Sequence, residues 1–229
     1  LRAMTSSSSP GMSLKQEGIS YLAGAQLPTV IINVMRGGPG LGNIASSQSD
    51  YFQSTRGGGH GDYFTPTLAP WSVQEASVLV GLAFDLADYY RNPVLVLADA
   101  IIGQMAEAVD LSSKIEFKKK IPKKLWALTG TRGRSPNIIK SFFLKEDDLA
   151  VHNEQLSKKW DAIRKDEQRF DTYRCSGTKY LIVAYGSQAR IAREAVDILR
   201  ESNIKVGLFR PISLWPYPEK GLRKTAESI

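Results

Sequence analysis

The sequence predicts an α/β fold in which a parallel sheet with helices on both faces is followed by a smaller α/β domain. Two patterns predict this fold. Apolar, β-branched runs typical of buried strands alternate with segments of helical periodicity, and this alternation stops near residue 111 and returns near residue 177. The chain has 229 residues, 42% apolar and 23% charged, which supports a buried core and excludes a disordered tail, a collagen-like repeat and a disulfide scaffold.

The first predicted helix and strand lie close to the start of the chain. Apolar residues at helical spacing predict a helix over 13–25, after a proline and a glycine. The continuous run TVIINV at 29–34 predicts a strand that is covered on both faces. The sequence RGGPGLG, which begins at Arg36, ends this strand because its glycines and proline favour a turn.

A second helix and strand follow in the same order. Ser72 and Glu75 have the spacing of a capping box, and apolar residues then recur at helical spacing, which predicts an amphipathic helix over 72–90. An Asn-Pro pair ends this helix, and VLVLA at 94–98 predicts another buried strand. Strands separated by helices favour a parallel sheet.

The last part of the chain repeats this pattern. YLIVAY at 180–185 predicts a strand, 186–201 a helix and 205–209 the next strand. The residues expected to form the buried stripe of that helix are Ile191, Ala195, Ile198 and Leu199. The Arg-Pro pair after the last strand cannot continue a central strand, because proline has no N–H to donate.

These elements divide the chain into three predicted parts. Residues 1–110 form the first domain, 111–176 a basic, charged connector and 177–229 the smaller domain. Within the connector, a charged helix that is half exposed is expected around Leu149, Leu156, Trp160 and Ile163. Strand-like sequence begins almost at residue 1, and the last residues begin a helix, so we expect the native protein to extend beyond both ends.

The positive charge of the chain is concentrated in one short run. Residues 114–124 contain six lysines and one glutamate, which accounts for most of the formal net charge of +7. A nucleic-acid-binding surface spreads its positive charge over a face of the fold, so this run favours a solvated connector over a nucleic-acid site. A docking surface for an acidic partner protein stays open as an alternative.

Cysteine content and hydropathy suggest the setting of the protein. A single cysteine, Cys175, excludes an internal disulfide and an iron–sulfur or cysteine-ligated metal site built from this chain alone, and with only two histidines we expect no metal site. The apolar runs 78–84 and 93–98 are far shorter than the roughly 20 residues that cross a bilayer. We therefore expect a cytoplasmic protein with no membrane contact.

Two loops at predicted strand ends are the main candidates for a site. A serine-rich loop precedes the first helix, with Ser7, Ser8 and Ser9 in it, and its hydroxyls and free N–H groups suit a polar or anionic ligand, although a flexible linker is equally compatible. The glycines that follow Arg36 let the backbone close around a ligand, and a fixed guanidinium binds a carboxylate with two hydrogen bonds. The alternative for Arg36 is an ion pair with a structural carboxylate.

Three further residues are weaker candidates. His60 and Asp62 lie in a second glycine cluster, where His60 can act as an acid or base or bond to local backbone. Asp99 follows the strand at 94–98, which places it either at the ligand edge of the sheet or at the N-cap of a helix. The glycine spacings match neither a P-loop nor a dinucleotide fingerprint, and no GxSxG sequence favours a serine hydrolase.

Long motifs in the sequence resemble the alpha subunit of thiamine-dependent 2-oxoacid:ferredoxin oxidoreductases. The stretches that carry the resemblance are TSSSSPGMSLKQEGISYLAG at 5–24, VMRGGPGLGNIASSQSDYFQSTRGGGHGDY at 34–63, LAPWSVQEASVLVGLAFDLADYYRNPVLVLADAIIGQM at 68–105 and GLFRPISLWPYPEK at 207–220. The connector sequences WALTGTRGRSPNIIKS at 126–141 and HNEQLSKKW at 152–160 fit the same subunit. The branched-chain (2-oxoisovalerate) type resembles the chain most, and the 2-oxoglutarate type is next.

This resemblance implies a fold, a reaction and a set of partners. It implies a pyrimidine-binding-type domain of a thiamine enzyme, followed by a transketolase-C-terminal-like domain. The reaction would be oxidative decarboxylation of a 2-oxoacid with coenzyme A to acyl-CoA and CO2, with electrons passing to ferredoxin. Thiamine diphosphate would be shared with a beta subunit, and Mg and iron–sulfur clusters would lie only in partner subunits of the beta, gamma and delta type. An alpha–alpha contact is also expected.

The resemblance also assigns roles to single residues. Arg36 corresponds to the family's arginine for the substrate carboxylate, and Ser7 and Ser8 fall in the loop beside the substrate. The residues expected close to the cofactor are Ser9, Pro10, Gly11, Gly37 and Gly38. Ala45 stands where other relatives have a substrate-binding threonine, so that contact does not carry over. The family's glutamate that activates the cofactor would lie before residue 1.

Other functions stay open at this point. Within the family, the 2-oxoglutarate type is the alternative. Outside it, a transketolase-like thiamine enzyme would hold its diphosphate site in one chain, and a basic binding module would use the lysines of 114–124.

Overall fold

The computed structural model describes residues 1–229, which form two sheets and seven helices. The strands are β1 (Met4–Ser7), β2 (Thr29–Met35), β3 (Thr67–Leu68), β4 (Pro93–Asp99), β5 (Phe170–Tyr173), β6 (Tyr180–Val183), β7 (Val206–Pro211) and β8 (Ser213–Trp215). The helices are α1 (Pro10–Gly24), α2 (Tyr51–Arg56), α3 (Val73–Tyr90), α4 (Ala100–Gln104), α5 (Glu146–Asp166), α6 (Gly186–Glu201) and α7 (Glu219–Glu227). None of the helices has the length and hydropathy needed to cross a membrane.

The first sheet has five strands in the order β1-β2-β4-β3-β8. The first four strands are parallel, and β8 joins β3 as an antiparallel edge strand from the distant C-terminal part of the chain. All seven residues of β4 are buried, because a central parallel strand is covered on both faces. The predicted strands at 29–34 and 94–98 are confirmed, as is the α/β fold class.

Helix α3 shows why the local sequence predicts its start. The Ser72 hydroxyl accepts a hydrogen bond from the N–H of Glu75 at 3.1 Å, and the Glu75 carboxylate accepts one from the N–H of Trp71 at 2.9 Å. Two N–H groups that the first turn leaves without an intrahelical partner are thus satisfied. The helix buries Leu79, Leu82 and five other residues against the sheet. The predicted helix over 72–90 is confirmed.

The second sheet corrects three predictions. Its order is β5-β7-β6, and the central strand β7 runs to Pro211, which pairs with Phe170 at the strand end, so the expectation that the Arg-Pro pair cannot continue a central strand is wrong. Strand β5 (Phe170–Tyr173) lies within the range predicted for the connector. The predicted stripe of α6 is wrong, because Ile191 and Ile198 are more than half exposed. The helix instead buries the small residues Ala189, Ala192 and Val196. Ala192 and Val196 pack against β7, since small side chains let a helix approach a sheet closely.

Helix α5 packs on the first domain through one face. Leu156, Trp160 and Ile163 are buried in the main core, whereas Leu149 is 42% exposed. The Trp160 indole N–H donates to the side-chain oxygen of Asn92 at 3.2 Å. A helix that looks like a charged connector in sequence therefore completes the core of the first sheet.

Lys159 lies on α5 beside the C-terminal ends of α1 and α3. Its ammonium donates to the carbonyl of Arg91 at 3.2 Å and to the amide oxygen of Gln26 at 3.5 Å. Burial, with a smaller contribution from the Arg91 cation, lowers the pKa of Lys159 to about 7. The folded protein therefore releases a proton that the unfolded chain keeps up to its ordinary pKa of about 10.4.

We expect the stability of the protein to depend on pH through this residue. Between pH about 7 and about 10 the unfolded state binds more protons, so the free energy of unfolding should rise with pH by up to about 1.4 kcal/mol per unit. Lys159→Met should remove this slope in chemical denaturation curves. Lys158→Met, at an exposed position of the same helix, should keep it. An unchanged slope in Lys159→Met would contradict the assignment.

Candidate functional site

The carboxyl ends of three parallel strands bring the main candidate residues to one edge of the first sheet. Ser7 at the end of β1 lies opposite Asn33 of β2, and Met35 at the end of β2 lies opposite Asp99 of β4. The serine loop follows β1 and the Arg36 loop follows β2, so both loops leave the sheet at this edge. Ligands of open α/β sheets bind at such an edge.

The serine loop makes a tight turn into α1. Ser9 has a φ of 52°, in the left-handed region that favours glycine. A Cβ on Gly11 would lie 2.2 Å from the Ser7 Oγ, so a larger residue at this position would force the Ser7 hydroxyl to rotate away. The N–H groups of Gly11 and Met12 donate to the Ser8 and Ser9 carbonyls at 3.1 and 2.9 Å. The expectation of free N–H groups here is therefore wrong for these two residues.

A buried polar atom at this turn has no partner. The Ser8 Oγ makes no hydrogen bond, and neither does the side-chain oxygen of Asn33, which is fully buried in the neighbouring strand. The amide nitrogen of Asn33 donates to Asp50 at 3.0 Å. Buried polar atoms without partners are uncommon because they lose their hydrogen bonds to water. These two atoms are candidates to bond a polar ligand.

Arg36 projects from a rigid hairpin. Arg36 forms an antiparallel bridge with Ser46, and the N–H of Gly37 donates to the Ala45 carbonyl at 2.9 Å. The Arg36 guanidinium donates through Nη1 to the carbonyls of Leu41 and Asn43, the latter at 3.0 Å. None of the ion pairs includes Arg36, so the alternative of a structural carboxylate partner is not observed. Its remaining N–H groups are available to an anion.

The glycines of this hairpin are required by its geometry. A Cβ on Gly37 would lie 2.5 Å from the Asn43 Oδ1, and a Cβ on Gly42 would lie 1.7 Å from the Gly37 carbonyl oxygen. Gly42 also has a φ of +62°. Gly38, in contrast, is exposed and has open space around it. The hairpin therefore fixes the carbonyls that hold the guanidinium.

Gly42→Ala should move the guanidinium without unfolding the protein. The added methyl group collides with backbone, so the hairpin must open and the carbonyls of Leu41 and Asn43 must shift away from Arg36. We expect substrate affinity to fall about tenfold or more, while the melting temperature changes little. Gly40→Ala is the matched control, because Gly40 also has a positive φ, of +66°, but has open space around its Cβ position. Equal affinities for the two variants would contradict this steric argument.

Sequence reasoning missed a cluster beside this edge. Asp50, which accepts from Asn33, precedes Tyr51, and the Tyr51 ring lies 5.9 Å from the Tyr185 ring. The Gln48 amide donates to the Tyr185 carbonyl at 2.9 Å. Burial raises the pKa of Tyr185, and the nearby Tyr51 and acidic groups raise it further. Sequence spacing could not reveal this cluster, because Gln48 and Tyr185 are 137 positions apart.

Asp99 joins the first sheet to α6. It is 1% exposed, and its two carboxylate oxygens accept the N–H of Ile102 at 3.3 Å and the N–H of Ser187 at 2.9 Å. The structure thus shows the N-cap for this residue and adds a second helix start. Both oxygens have N–H donors, so Asp99 holds the starts of α4 and α6 in place.

Asp99→Ala should destabilise the protein strongly. It leaves two buried N–H groups without acceptors, and each such loss costs about 1–3 kcal/mol. We expect the free energy of unfolding to fall by about 2–5 kcal/mol in denaturant titrations. Asp99→Asn keeps one acceptor oxygen, so its free energy of unfolding should lie between those of Asp99→Ala and the unchanged protein. Asp62→Ala, at an exposed position, should change stability little, and a similar loss in both alanine variants would argue against the capping role.

His60 and Asp62 lie away from this edge. The Ser20 hydroxyl donates to the His60 carbonyl at 2.7 Å, and the His60 ring lies 6.2 Å from the Tyr21 ring. Ser20 is ten residues along α1 from Pro10, or about 15 Å at the helical rise. Both His60 and Asp62 are exposed. The structure therefore does not bring them to Arg36, and the His60 ring contacts the Ser20 hydroxyl, at 3.5 Å from Nδ1, rather than local backbone.

The geometry of the edge suits a small organic anion. Arg36 supplies a positive charge held by its own hairpin after β2, and Ser8 and Asn33 supply buried polar atoms at the same edge of the sheet. A guanidinium held in place binds a carboxylate with a defined orientation. This arrangement can bind and orient a carboxylic acid, and the remaining polar atoms can contact a second polar group.

Comparisons with known proteins identify the family of the chain. Residues 1–171 match the family described as pyruvate flavodoxin/ferredoxin oxidoreductase, thiamine diP-bdg, and residues 178–229 match pyruvate:ferredoxin oxidoreductase core domain II. The chain is 50% identical over 227 residues to the ketoisovalerate oxidoreductase subunit VorB of Methanothermobacter marburgensis. It is 37% identical over 230 residues to the 2-oxoglutarate synthase subunit KorA of Archaeoglobus fulgidus.

These relatives are longer than the chain. The first match covers 99% of this chain and 64% of the VorB subunit, and the second covers 97% of this chain and 64% of the KorA subunit. The fold is similar to that of the 2-oxoglutarate:ferredoxin oxidoreductase from Magnetococcus marinus, with a TM-score of 0.83 and 22% identity over 99% of this chain and 44% of that one. The resemblance drawn from the motifs is thus confirmed, and the chain belongs to the pyruvate flavodoxin/ferredoxin oxidoreductase family with a thiamine diphosphate-binding domain.

Proposed function

We propose that this chain is the alpha-type subunit of a thiamine diphosphate-dependent 2-oxoacid:ferredoxin oxidoreductase. The reaction is oxidative decarboxylation of a branched-chain 2-oxoacid with coenzyme A to acyl-CoA and CO2, with electrons passing to ferredoxin. The observation that carries the proposal is the Arg36 guanidinium, fixed by its glycine hairpin at the carboxyl edge of the sheet and free of a carboxylate partner. A 2-oxoacid presents the carboxylate that such a group binds.

The branched-chain substrate is supported by the relatives. A 50% identical relative is named a ketoisovalerate oxidoreductase subunit, while relatives named for 2-oxoglutarate are 37% identical or less. The hairpin sequence after Arg36, from 37 to 49, contains no charged residue. A second carboxylate, as in 2-oxoglutarate, would therefore find no cation on this hairpin. The 2-oxoglutarate type is the alternative.

The residues at the edge fit the polar ring of thiamine diphosphate. The buried Ser8 Oγ and Asn33 side-chain oxygen have no partner, and an aminopyrimidine ring carries the N–H groups that such atoms would accept. Ser8 and Asn33 would hold this ring, and Pro10 and Gly11 would shape the turn beside it. When bound, thiamine diphosphate would supply a nucleophilic carbon for the substrate carbonyl and a cationic thiazolium ring that accepts the electron pair of the bond to the departing CO2.

The chain's own residues would then bind and orient the substrate. Arg36 holds the substrate carboxylate through its free N–H groups, and the carbonyls of Leu41 and Asn43 hold Arg36. Ser7 and Ser8 line the loop on the neighbouring strand and complete the polar wall. Gly37 and Gly38 let the hairpin pass close to the bound molecule. Preorganised polar groups of this kind lower the cost of orienting charge at the reacting centre.

Other components would come from partner subunits of the beta, gamma and delta type. We propose that the beta-type subunit holds the diphosphate and Mg, and that iron–sulfur clusters lie in partner subunits, because a single cysteine cannot ligate a cluster. We also propose that 1–110 is the pyrimidine-side domain, 111–176 the connector and 177–229 a transketolase-C-terminal-like domain. The change of family match between residues 171 and 178 supports the second of these boundaries.

The test is an assay of the complex purified from its native source. Coenzyme A-dependent reduction of a viologen dye should be fastest with 2-oxoisovalerate, slower with 2-oxoglutarate and slower still with pyruvate. A higher specificity constant for 2-oxoglutarate would assign the alternative type. Turnover that needs no coenzyme A, or no partner subunit, would overturn the proposal in favour of a transketolase-like enzyme.

A further inference from the structure

The lysine segment, defined as residues 113–124, is held against the first domain although it contains no helix or strand. Ile115 and Phe117 pack on the main core. Lys119 and Lys124 point inward and form ion pairs at 3.0 and 2.5 Å with acidic groups at the end of α5 and on α3. The segment therefore has a fixed path, and two of its six lysines form ion pairs with the rest of the chain.

The other lysines of the segment face solvent. Lys114, Lys118, Lys120 and Lys123 are exposed, and the ion pairs of the segment are those of Lys119 and Lys124. One exposed acidic residue, Glu116, lies among them. Four ammonium groups on a fixed path keep a locally positive potential, because the single carboxylate among them, Glu116, cannot neutralise all four.

The backbone of the middle of the segment is also without partners, whereas Ser113, Lys123 and Lys124 each have one local backbone hydrogen bond. The peptide groups of residues 114–122 make no backbone hydrogen bond with the rest of the chain. Residues 113–118 contain no turn or bend, and their side chains alternate between half-buried and exposed from Lys114 to Lys118, as in a strand; a bend follows at Lys119. Such a segment offers free N–H and C=O groups to an added strand.

We propose that the lysine segment is a docking site for an acidic, extended segment of a partner protein. Its carboxylates would face Lys114, Lys118, Lys120 and Lys123, and its backbone would pair with residues 113–118. Charge complementarity of this kind raises the rate of association and selects the partner. Strand addition supplies main-chain hydrogen bonds that are independent of sequence.

The composition of the segment favours an acidic protein over other occupants. A second copy of the chain would bring four more lysines to the same surface and be repelled. Single-stranded nucleic acid binds on exposed aromatic rings and arginines, but Phe117 of this segment packs inward on the core and the exposed cations are all lysines. Nucleic acid is therefore an outcome to be separated by the test.

The test measures binding of a fluorescent peptide of alternating threonine and glutamate to the full-length protein in its complex. We expect binding that weakens as salt is raised and that falls about tenfold or more in the double variant Lys118→Glu/Lys120→Glu. The matched control is Lys179→Glu/Lys205→Glu, which reverses two exposed lysines elsewhere and should bind as the unchanged protein does. Equal melting temperatures would show that both variants fold.

Hydrogen exchange separates strand pairing from simple charge attraction. Bound peptide should slow amide exchange in residues 114–118, and a peptide of alternating threonine and lysine should neither bind nor protect. No binding of the acidic peptide, equal loss in both double variants, or binding without amide protection would each overturn the proposal. Preferred binding of a single-stranded oligonucleotide would overturn it as well.

Discussion

Arg36→Ala is expected to reduce the specificity constant for the 2-oxoacid by about two orders of magnitude in the assembled enzyme. A guanidinium that binds a carboxylate with two charge-assisted hydrogen bonds contributes about 1.5–3 kcal/mol for each. Because the carboxylate is bound before and during decarboxylation, the loss should appear mainly as a raised Michaelis constant. Steady-state kinetics with 2-oxoisovalerate and a viologen acceptor measure it.

Two further variants make this result specific. Arg36→Lys keeps the charge but cannot form the paired hydrogen bonds, so its specificity constant should fall between those of the alanine variant and the unchanged enzyme. Arg56→Ala removes an exposed arginine that lies over the Phe52 ring beside the second glycine cluster, and its kinetics should be unchanged. An Arg36→Ala enzyme with normal kinetics would show that the carboxylate binds elsewhere.

Much of the first domain could be predicted from local sequence. The β-branched run of β2 and the capping box of α3 specify their elements without help from distant residues, and both are confirmed. Arg36 was also found from sequence, because glycines directly after a buried strand mark a loop at the sheet edge. Elements with local signals of this kind can be predicted from their own residues, without knowledge of distant contacts.

Elements that depend on distant contacts could not be predicted in this way. Strand β5 (FDTY) is a short, exposed edge strand that pairs with β7 more than 30 residues along the chain, so its few strand-favouring residues do not mark it on their own. The large apolar residues of α6 suggested a buried stripe at Ile191 and Ile198, but its small residues form the contact. The carbonyls that hold Arg36 are likewise fixed by hairpin geometry, which the glycines alone do not reveal.

Arg210→Ala should cause the largest loss of stability of any single charge removal. Arg210 lies on β7 with a side chain that is 3% exposed, and it donates to both Glu75 oxygens at 2.7 and 2.9 Å and to Asp171. Its guanidinium also stacks 4.1 Å from the centre of the Trp71 ring. It therefore ties the second sheet to the N-terminus of α3, where Glu75 completes the capping box.

Removing one partner of a buried ion pair leaves the other charge without compensation, which costs about 3–5 kcal/mol. Denaturant titration of Arg210→Ala should show a loss of this size. In Arg210→Lys the single ammonium group cannot bond both Glu75 oxygens as the guanidinium does, so this variant should show part of the same loss in stability. Arg174→Ala breaks an ion pair with Asp197 at 3.0 Å in which the Arg174 side chain is 48% exposed, so its loss of stability should be much smaller than that of Arg210→Ala. Equal losses in the two alanine variants would mean that burial does not decide the contribution of Arg210, and the link between β7 and α3 would then have to come from apolar packing alone.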